Sequence, residues 1–230
     1  MTQSLAITKS TFRFAGWCAV VSGVIGIAAF VCLMTAVTSR STIVLSMPVY
    51  IMFRAHDVGI ILQYILLIPV AIALYKLSQR KSLNISPTTL NITIGALLFI
   101  VAILLLVFPK ILHDDYYLFP QGIFGVCLIL INWRLNGLLR GWLRWFGMVV
   151  GLGLTFVGIY PIGYAIFVDT TPFRIPAVEL TTSPDTPANN ILHQIIYTGT
   201  FMGVLPLPFW TILLSIRLLR KKRFSTSFSD

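Results

Sequence analysis

The sequence predicts an all-α fold, a polytopic membrane protein built as a bundle of six transmembrane helices. The composition is 57% hydrophobic and only 10% charged, whereas about a quarter of the residues in a soluble domain are charged. Six mostly apolar runs, most of them near the ~20 residues that a helix needs to cross ~30 Å of hydrocarbon, are separated by polar connections. We therefore expect one transmembrane domain over residues 1–230, with spans at about 12–37, 56–76, 89–108, 116–133, 145–167 and 191–216.

The first span follows a short polar start that carries Lys9 and Arg13. Its apolar region runs for about two dozen residues, longer than the ~7–15 of a signal peptide, so we expect a retained helix. Ala15, Ala19 and Gly23 repeat every four residues on it. Such a ladder of small residues allows close helix packing in lipid.

The chain between the first two spans contains an apolar segment, 42–53, that is too short to cross a membrane and is interrupted by Pro48. This pattern is typical of an interfacial or partly re-entrant segment. The second span follows, opened by His56 and Asp57 and ended by Lys76.

The third span leads into the connection KILHDDYY, 110–117, and the fourth span after it is short. Pro120, Gln121 and Gly122 fall in the first turn of the fourth span, where a proline is tolerated because its missing N–H has no helical partner.

The fifth span is rich in glycine, with a GxxxG pair at Gly147 and Gly151 that favours close helix packing. A proline-rich loop, 168–190, follows and is expected on the extracytoplasmic side. The sixth span contains two prolines and leads into a basic tail over 217–230, which we expect in the cytoplasm.

The basic residues set the expected orientation. With the N-terminus inside, the cytoplasmic side carries Lys9, Arg13, Lys76, Arg80, Lys81, Arg134, Arg140, Arg144, Arg217, Arg220, Lys221, Lys222 and Arg223, against Arg40, Arg54, Lys110 and Arg174 outside. The positive-inside rule then predicts that both termini are cytoplasmic. The residues that give the net charge of +10 lie between the apolar runs. This placement indicates that they set the topology in a lipid bilayer and do not bind nucleic acid. The tail can also attract anionic lipid; the protein partner is left open.

The candidate functional residues lie at the expected outer ends of the spans. The second and sixth spans carry polar residues at helical spacing, which usually face a bundle interior or a water-filled cavity. The candidate ligand-binding residues are His56, Asp57, Gln63, Tyr64, His193, Tyr197 and Thr200. They predict a polar cavity open to the outside between spans two and six; the alternatives are hydrogen bonding between helices and simple tolerance of water at the membrane edge.

Histidine and carboxylate side chains are also zinc ligands. Candidates for such a centre are His56, His113, His193, Asp114 and Asp115. Their spacing matches no metal motif, so a centre requires three separate segments to converge. No GxSxG, P-loop, GxGxxG or CxxC pattern is present.

Two resemblances rest on these features. The six-span layout, the His56–Asp57 start and the sequence LPLPFWTILLSIRLLRKK resemble bacterial membrane proteins of domain-of-unknown-function families. This implies a bacterial plasma membrane and no particular activity. The size, topology and ladder at Ala15, Ala19 and Gly23 are also similar to the substrate-binding subunits of energy-coupling-factor vitamin transporters, although no vitamin-specific residues match.

Three functions remain open at this point. The first is a non-enzymatic protein that binds or moves a small molecule through the predicted cavity, with no cofactor. The second is a membrane-embedded hydrolase that uses zinc on the outer histidines. The third is a packing or assembly subunit without a site, suggested by the glycine faces of spans one and five.

Overall fold

The computed structural model describes residues 9–39, 47–79, 85–170 and 186–219. Within these ranges all regular structure is helical. Several predicted features lie outside the described residues: the middle of the 168–190 loop, the basic tail beyond Leu219, part of the 42–53 segment, and the basic residues Arg40, Arg80 and Lys81.

Six of the described helices are long and apolar enough to cross a membrane, which confirms the prediction of an all-α, six-span membrane protein. The helices are α1 (Lys9–Thr38), α2 (Met47–Gln79), α3 (Pro87–Val107), a 3₁₀ turn (Asp114–Tyr117) that leads into α4 (Leu118–Arg134), α5 (Gly141–Phe167), and a sixth span composed of α6 (Pro187–Gly199), a π-helical segment (Thr200–Val204) and α7 (Leu207–Leu219).

Large apolar side chains cover the outside of the bundle. Val24, Leu105, Leu130 and Ile159 belong to four different helices, and each is exposed. A soluble monomer rarely exposes apolar patches of more than a few hundred Å². An apolar surface spread over several helices is what contact with lipid requires.

Local sequence explains where two helices begin. Ser86 and Thr186 cap α3 and α6 with their hydroxyl oxygens, and each is followed by a proline at the first helical position. The capping oxygen accepts a hydrogen bond from a backbone N–H that has no helical partner, and proline there loses nothing.

The second helix is longer than predicted. It begins at Met47, so the described part of the 42–53 segment is helical rather than re-entrant, and Pro48 lies in the first turn instead of interrupting the chain. His56 consequently lies about two and a half turns inside α2, whereas the sequence placed it at the helix end.

The sixth span is not a regular helix. In the π-helical segment the N–H of Leu205 bonds the carbonyl of Thr200, five residues earlier. Pro206 and Pro208 lack an N–H, so the carbonyls of Met202 and Val204 lose their usual donors four residues later. The regular pattern therefore stops at this point and resumes in α7.

Glycines on α4 and α5 bring these antiparallel helices into close contact. A Cβ on Gly122 would lie 2.6 Å from the Cα of Gly158, and one on Gly125 would lie 2.6 Å from the carbonyl oxygen of Gly151. Real Cβ contacts are essentially never under 3.0 Å, so a larger residue at these positions would separate the helices.

The ladder of small residues on α1 packs in the same way against the sixth span. Ala15 and Ala19 are buried, and a Cβ on Gly23 would lie 2.6 Å from the carbonyl oxygen of Pro208. A Cβ on Gly16 would meet Leu219 at 2.8 Å. The small-residue faces of spans one and five thus make contacts within the chain.

Candidate functional site

A cavity of about 220 Å³ lies among α1, α2, α4, α5 and the sixth span. Its polar lining consists of His56, Gln63, Tyr64, Asp114, Asp115, Tyr117, Gln121 and Thr200. Apolar side chains, among them Phe30, Leu118, Val157 and Ile196, line the rest. A mostly apolar cavity with a few convergent polar groups is the usual form of a small-molecule site.

One face of α2 supplies the wall nearest α1. His56, Ile60 and Gln63 follow one another at helical spacing and all line the cavity. Gln63 is 3% exposed, and its amide packs against Gly26, where a Cβ would lie 2.8 Å from it. The hydroxyl of Ser22 donates to the Gln63 backbone carbonyl at 3.2 Å, which joins the two helices at this level.

The His56 ring is held in one orientation by α1. Its Nδ1 lies 3.0 Å from the carbonyl oxygen of Ala29. A carbonyl can only accept, so Nδ1 carries the hydrogen, and Nε2 of the neutral ring is left as an acceptor. The bond thus fixes the tautomer of a side chain in the cavity wall.

Asp57 does not line the cavity, although it is the neighbour of His56. Its Oδ2 lies 3.7 Å from the Arg54 guanidinium. Arg54 also donates to the hydroxyl of Tyr50 at 3.0 Å and to the Phe108 carbonyl at 3.3 Å. Asp57 therefore belongs to a polar cluster that ties α2 to the end of α3, because successive residues on a helix point about 100° apart.

Gln121 on α4 is the most buried polar group of the opposite wall. It is 2% exposed, and its amide is hydrogen-bonded to the Tyr64 hydroxyl. Its Oε1 has no hydrogen-bond partner among the described residues. Leaving a buried acceptor unsatisfied costs about 1–3 kcal/mol. This oxygen therefore destabilises the fold unless a donor binds it.

Asp114 and Asp115 lie at the mouth of the cavity, in the 3₁₀ turn before α4. Asp115 pairs with His113, whose Nδ1 is 3.3 Å from the carboxylate oxygen. The hydrogen bond to Asp115 raises the pKa of His113, with a further contribution from the negative charges of Asp115 and Asp114, against partial desolvation. His113 itself does not line the cavity.

On the sixth span only one of the three predicted residues lines the cavity. Thr200, the first residue of the π-helical segment, faces it. His193 lies about two turns away, with its ring centroid 6.3 Å from that of Tyr160 on α5. Tyr197 is 62% exposed, on the outside of the bundle. The residues that the sequence placed on one stripe are therefore divided between the cavity and the surface.

The histidines do not converge. Each has its own surroundings: His56 bonds α1, His113 pairs with Asp115, and His193 lies beside Tyr160. In the described part of the chain, no three His, Cys, Asp or Glu side chains lie close enough to hold a metal ion. The zinc hypothesis therefore lacks a ligand set there.

Sequence reasoning missed three residues of the site. Gln121 and Tyr117 were not among the candidates, and neither was Gly26, which leaves room for the Gln63 amide. The available signal was Gln121 itself, a buried amide in an apolar span, since polar residues in spans usually face an interior or a cavity.

Comparison of the chain with protein-family models, with curated proteins and with solved structures gives no match. The functional argument therefore rests on the geometry of the cavity.

Proposed function

We propose that the protein binds, and moves or presents, a small molecule in the cavity between α2 and the sixth span, and that this cavity opens to the extracytoplasmic side of a bacterial plasma membrane. The observation that carries the proposal is the pair of buried amides, Gln63 and Gln121, that line a cavity of about 220 Å³. An amide that only stabilised helix packing would be expected to satisfy both its nitrogen and its oxygen on neighbouring helices. Gln121 bonds Tyr64 on α2 through one end of its amide and keeps an unpartnered oxygen at the other.

The orientation in this proposal has both termini in the cytoplasm. It is supported by the excess of lysine and arginine at that end. Four exposed indoles at the same ends of their helices also favour a membrane–water interface there. They belong to Trp17, Trp133, Trp142 and Trp145. The cavity mouth at Asp114 belongs to the opposite end of the bundle.

Thiol labelling tests both the cavity and its orientation. In a variant without the native cysteines, Thr200→Cys is treated in intact cells with a charged, membrane-impermeant thiol reagent. A thiol in a water-filled cavity ionises and reacts, whereas one surrounded by hydrocarbon stays protonated. We expect labelling from the outside at Thr200→Cys and none at the matched Leu214→Cys, because Leu214 is fully buried in α7.

Two results would contradict the proposal in different ways. Labelling only in inverted vesicles would show that the orientation is the reverse of the proposed one, while the water-filled cavity would still be supported. No labelling from either side would refute a water-filled cavity, and with it the proposed function.

A further inference from the structure

The charged and unsatisfied groups of the cavity accept hydrogen bonds. Asp114 and Asp115 are acceptors when ionised, and Gln121 offers an unpartnered oxygen. His56 uses Nδ1 on the Ala29 carbonyl, so the neutral ring presents Nε2 as an acceptor. A ligand that satisfies these groups has to donate.

The charges around the cavity favour a cation. No lysine or arginine occurs among the described lining residues. Arg54, the nearest guanidinium along α2, is already engaged by Asp57, Tyr50 and the Phe108 carbonyl. Asp115 lies 3.3 Å from His113, whereas Asp114 has no ion pair within 4 Å among the described residues and interacts with His113 and Arg54 only from beyond that distance.

The remaining wall suits an apolar body. Phe30, Leu118, Val157 and Ile196 line it, and so does the ring of Tyr117 near the two carboxylates. The face of an aromatic ring attracts a desolvated ammonium group. The same cavity thus joins an acidic, acceptor-rich mouth to an apolar interior.

Building on the proposed function, we propose that the ligand is an amphiphilic organic cation: an ammonium group held by Asp114 and the unpartnered oxygen of Gln121, with an apolar body in the cavity. The unpartnered oxygen is a second observation beside the acidic cluster, since it lies on α4 beyond the 3₁₀ turn, on a residue that is 2% exposed. The ammonium group belongs either to a free amine or to a lipid headgroup.

Three probes with one apolar body test the charge preference. The full chain in a non-ionic detergent is titrated calorimetrically with 4-phenylbutylammonium, 4-phenylbutanol and 4-phenylbutyrate, with detergent alone as the blank. We expect the ammonium to bind about tenfold more tightly than the alcohol, as one charged hydrogen bond predicts, and the carboxylate to bind most weakly.

Matched variants assign the preference to the cavity. Asp114→Asn is expected to weaken binding of the ammonium probe about tenfold and to leave the affinity for the alcohol unchanged. Asp169→Asn makes the same chemical change at a carboxylate after α5 that neither lines the cavity nor acts on Asp114, so it should alter neither affinity. Gln121→Leu should weaken binding of both the ammonium and the alcohol, because each donates a hydrogen bond. Circular dichroism melting of each variant shows whether it is folded.

Added dihexanoylphosphatidylethanolamine distinguishes the two sources of ammonium. Displacement of the amine probe identifies a lipid headgroup, and no displacement identifies a free amine; both outcomes support the ammonium class.

Equal binding of the alcohol and the ammonium, tighter binding of the carboxylate, or an equal loss of affinity in Asp169→Asn and Asp114→Asn would overturn the inference. So would the absence of binding by all three probes. Labelling at Thr200→Cys decides the proposed function separately, so the two failures can be distinguished.

Discussion

Replacing Gly122 by alanine tests whether α4 and α5 depend on direct backbone contact. The new Cβ would lie 2.6 Å from the Cα of Gly158, while ordinary contact begins at 3.4 Å. The helices would have to separate by about 0.8 Å at this point, or the methyl group would remain compressed; overpacking of this kind costs about 1–3 kcal/mol.

Gly95 on α3 provides the matched control, because a Cβ there would meet nothing within 4 Å. Both changes gain the same helix propensity, about 1 kcal/mol for alanine over glycine. The propensity cancels when the two variants are compared, so the difference in their free energies of unfolding measures the packing cost alone. We expect Gly122→Ala to be less stable than Gly95→Ala by about 1–3 kcal/mol.

The free energies are measured by unfolding each purified variant in mixtures of sodium dodecyl sulfate and non-ionic detergent, followed by far-ultraviolet circular dichroism. If the two variants agree within about 0.5 kcal/mol, the typical effect of a neutral surface change, the close contact between α4 and α5 does not contribute to stability as argued.

Three further predictions concern other parts of the fold. The raised pKa of His113 means that its pair with Asp115 stabilises the protein below pH ~6.5 and that this contribution disappears as pH rises through the folded-state pKa. The contribution to the free energy of unfolding should be less than ~1 kcal/mol, because the pair is partly exposed. The melting temperature should therefore fall less steeply with rising pH in His113→Gln than in the native chain, and an unchanged slope would contradict this. Arg54→Met removes the ion pair to Asp57 and the hydrogen bond to the end of α3, so the melting temperature should fall, whereas an unchanged value would mean that the cluster is not structural. Gly147→Ala would place a methyl group 2.5 Å from two buried polar side-chain atoms, so this variant should be less stable than the Gly95→Ala control by about 1–3 kcal/mol. Equal stability of the two variants would show that these side chains move aside freely.

The buried oxygen of Gln121 illustrates how a functional group can oppose stability. Gln121→Leu alone would strand the buried Tyr64 hydroxyl, so the test uses the double variant Tyr64→Phe/Gln121→Leu, which removes both partners at similar volume and is expected to be nearly neutral or stabilising. If the oxygen serves a ligand rather than the fold, the ligand-free double variant should be no less stable than the native chain while it binds the amine probe more weakly. Sites of this kind commonly exchange stability for function.

The sequence by itself determined that the chain forms six apolar membrane-spanning helices. Length and apolar content are properties of each segment alone, and a bilayer requires every spanning segment to satisfy its backbone internally. Gln63 and Tyr64 were also found from one helix, because a polar residue among apolar neighbours is a local signal.

Only the tertiary structure decided which of these polar residues meet. Asp57 and Tyr197 carry the same local signal as Gln63, yet one pairs with Arg54 and the other lies on the outer surface. Gln121 entered the site because glycines bring α4 against α5 and leave its amide facing α2. Helix rotation and the π-helical segment set these directions, and both depend on packing between segments that are far apart in the sequence.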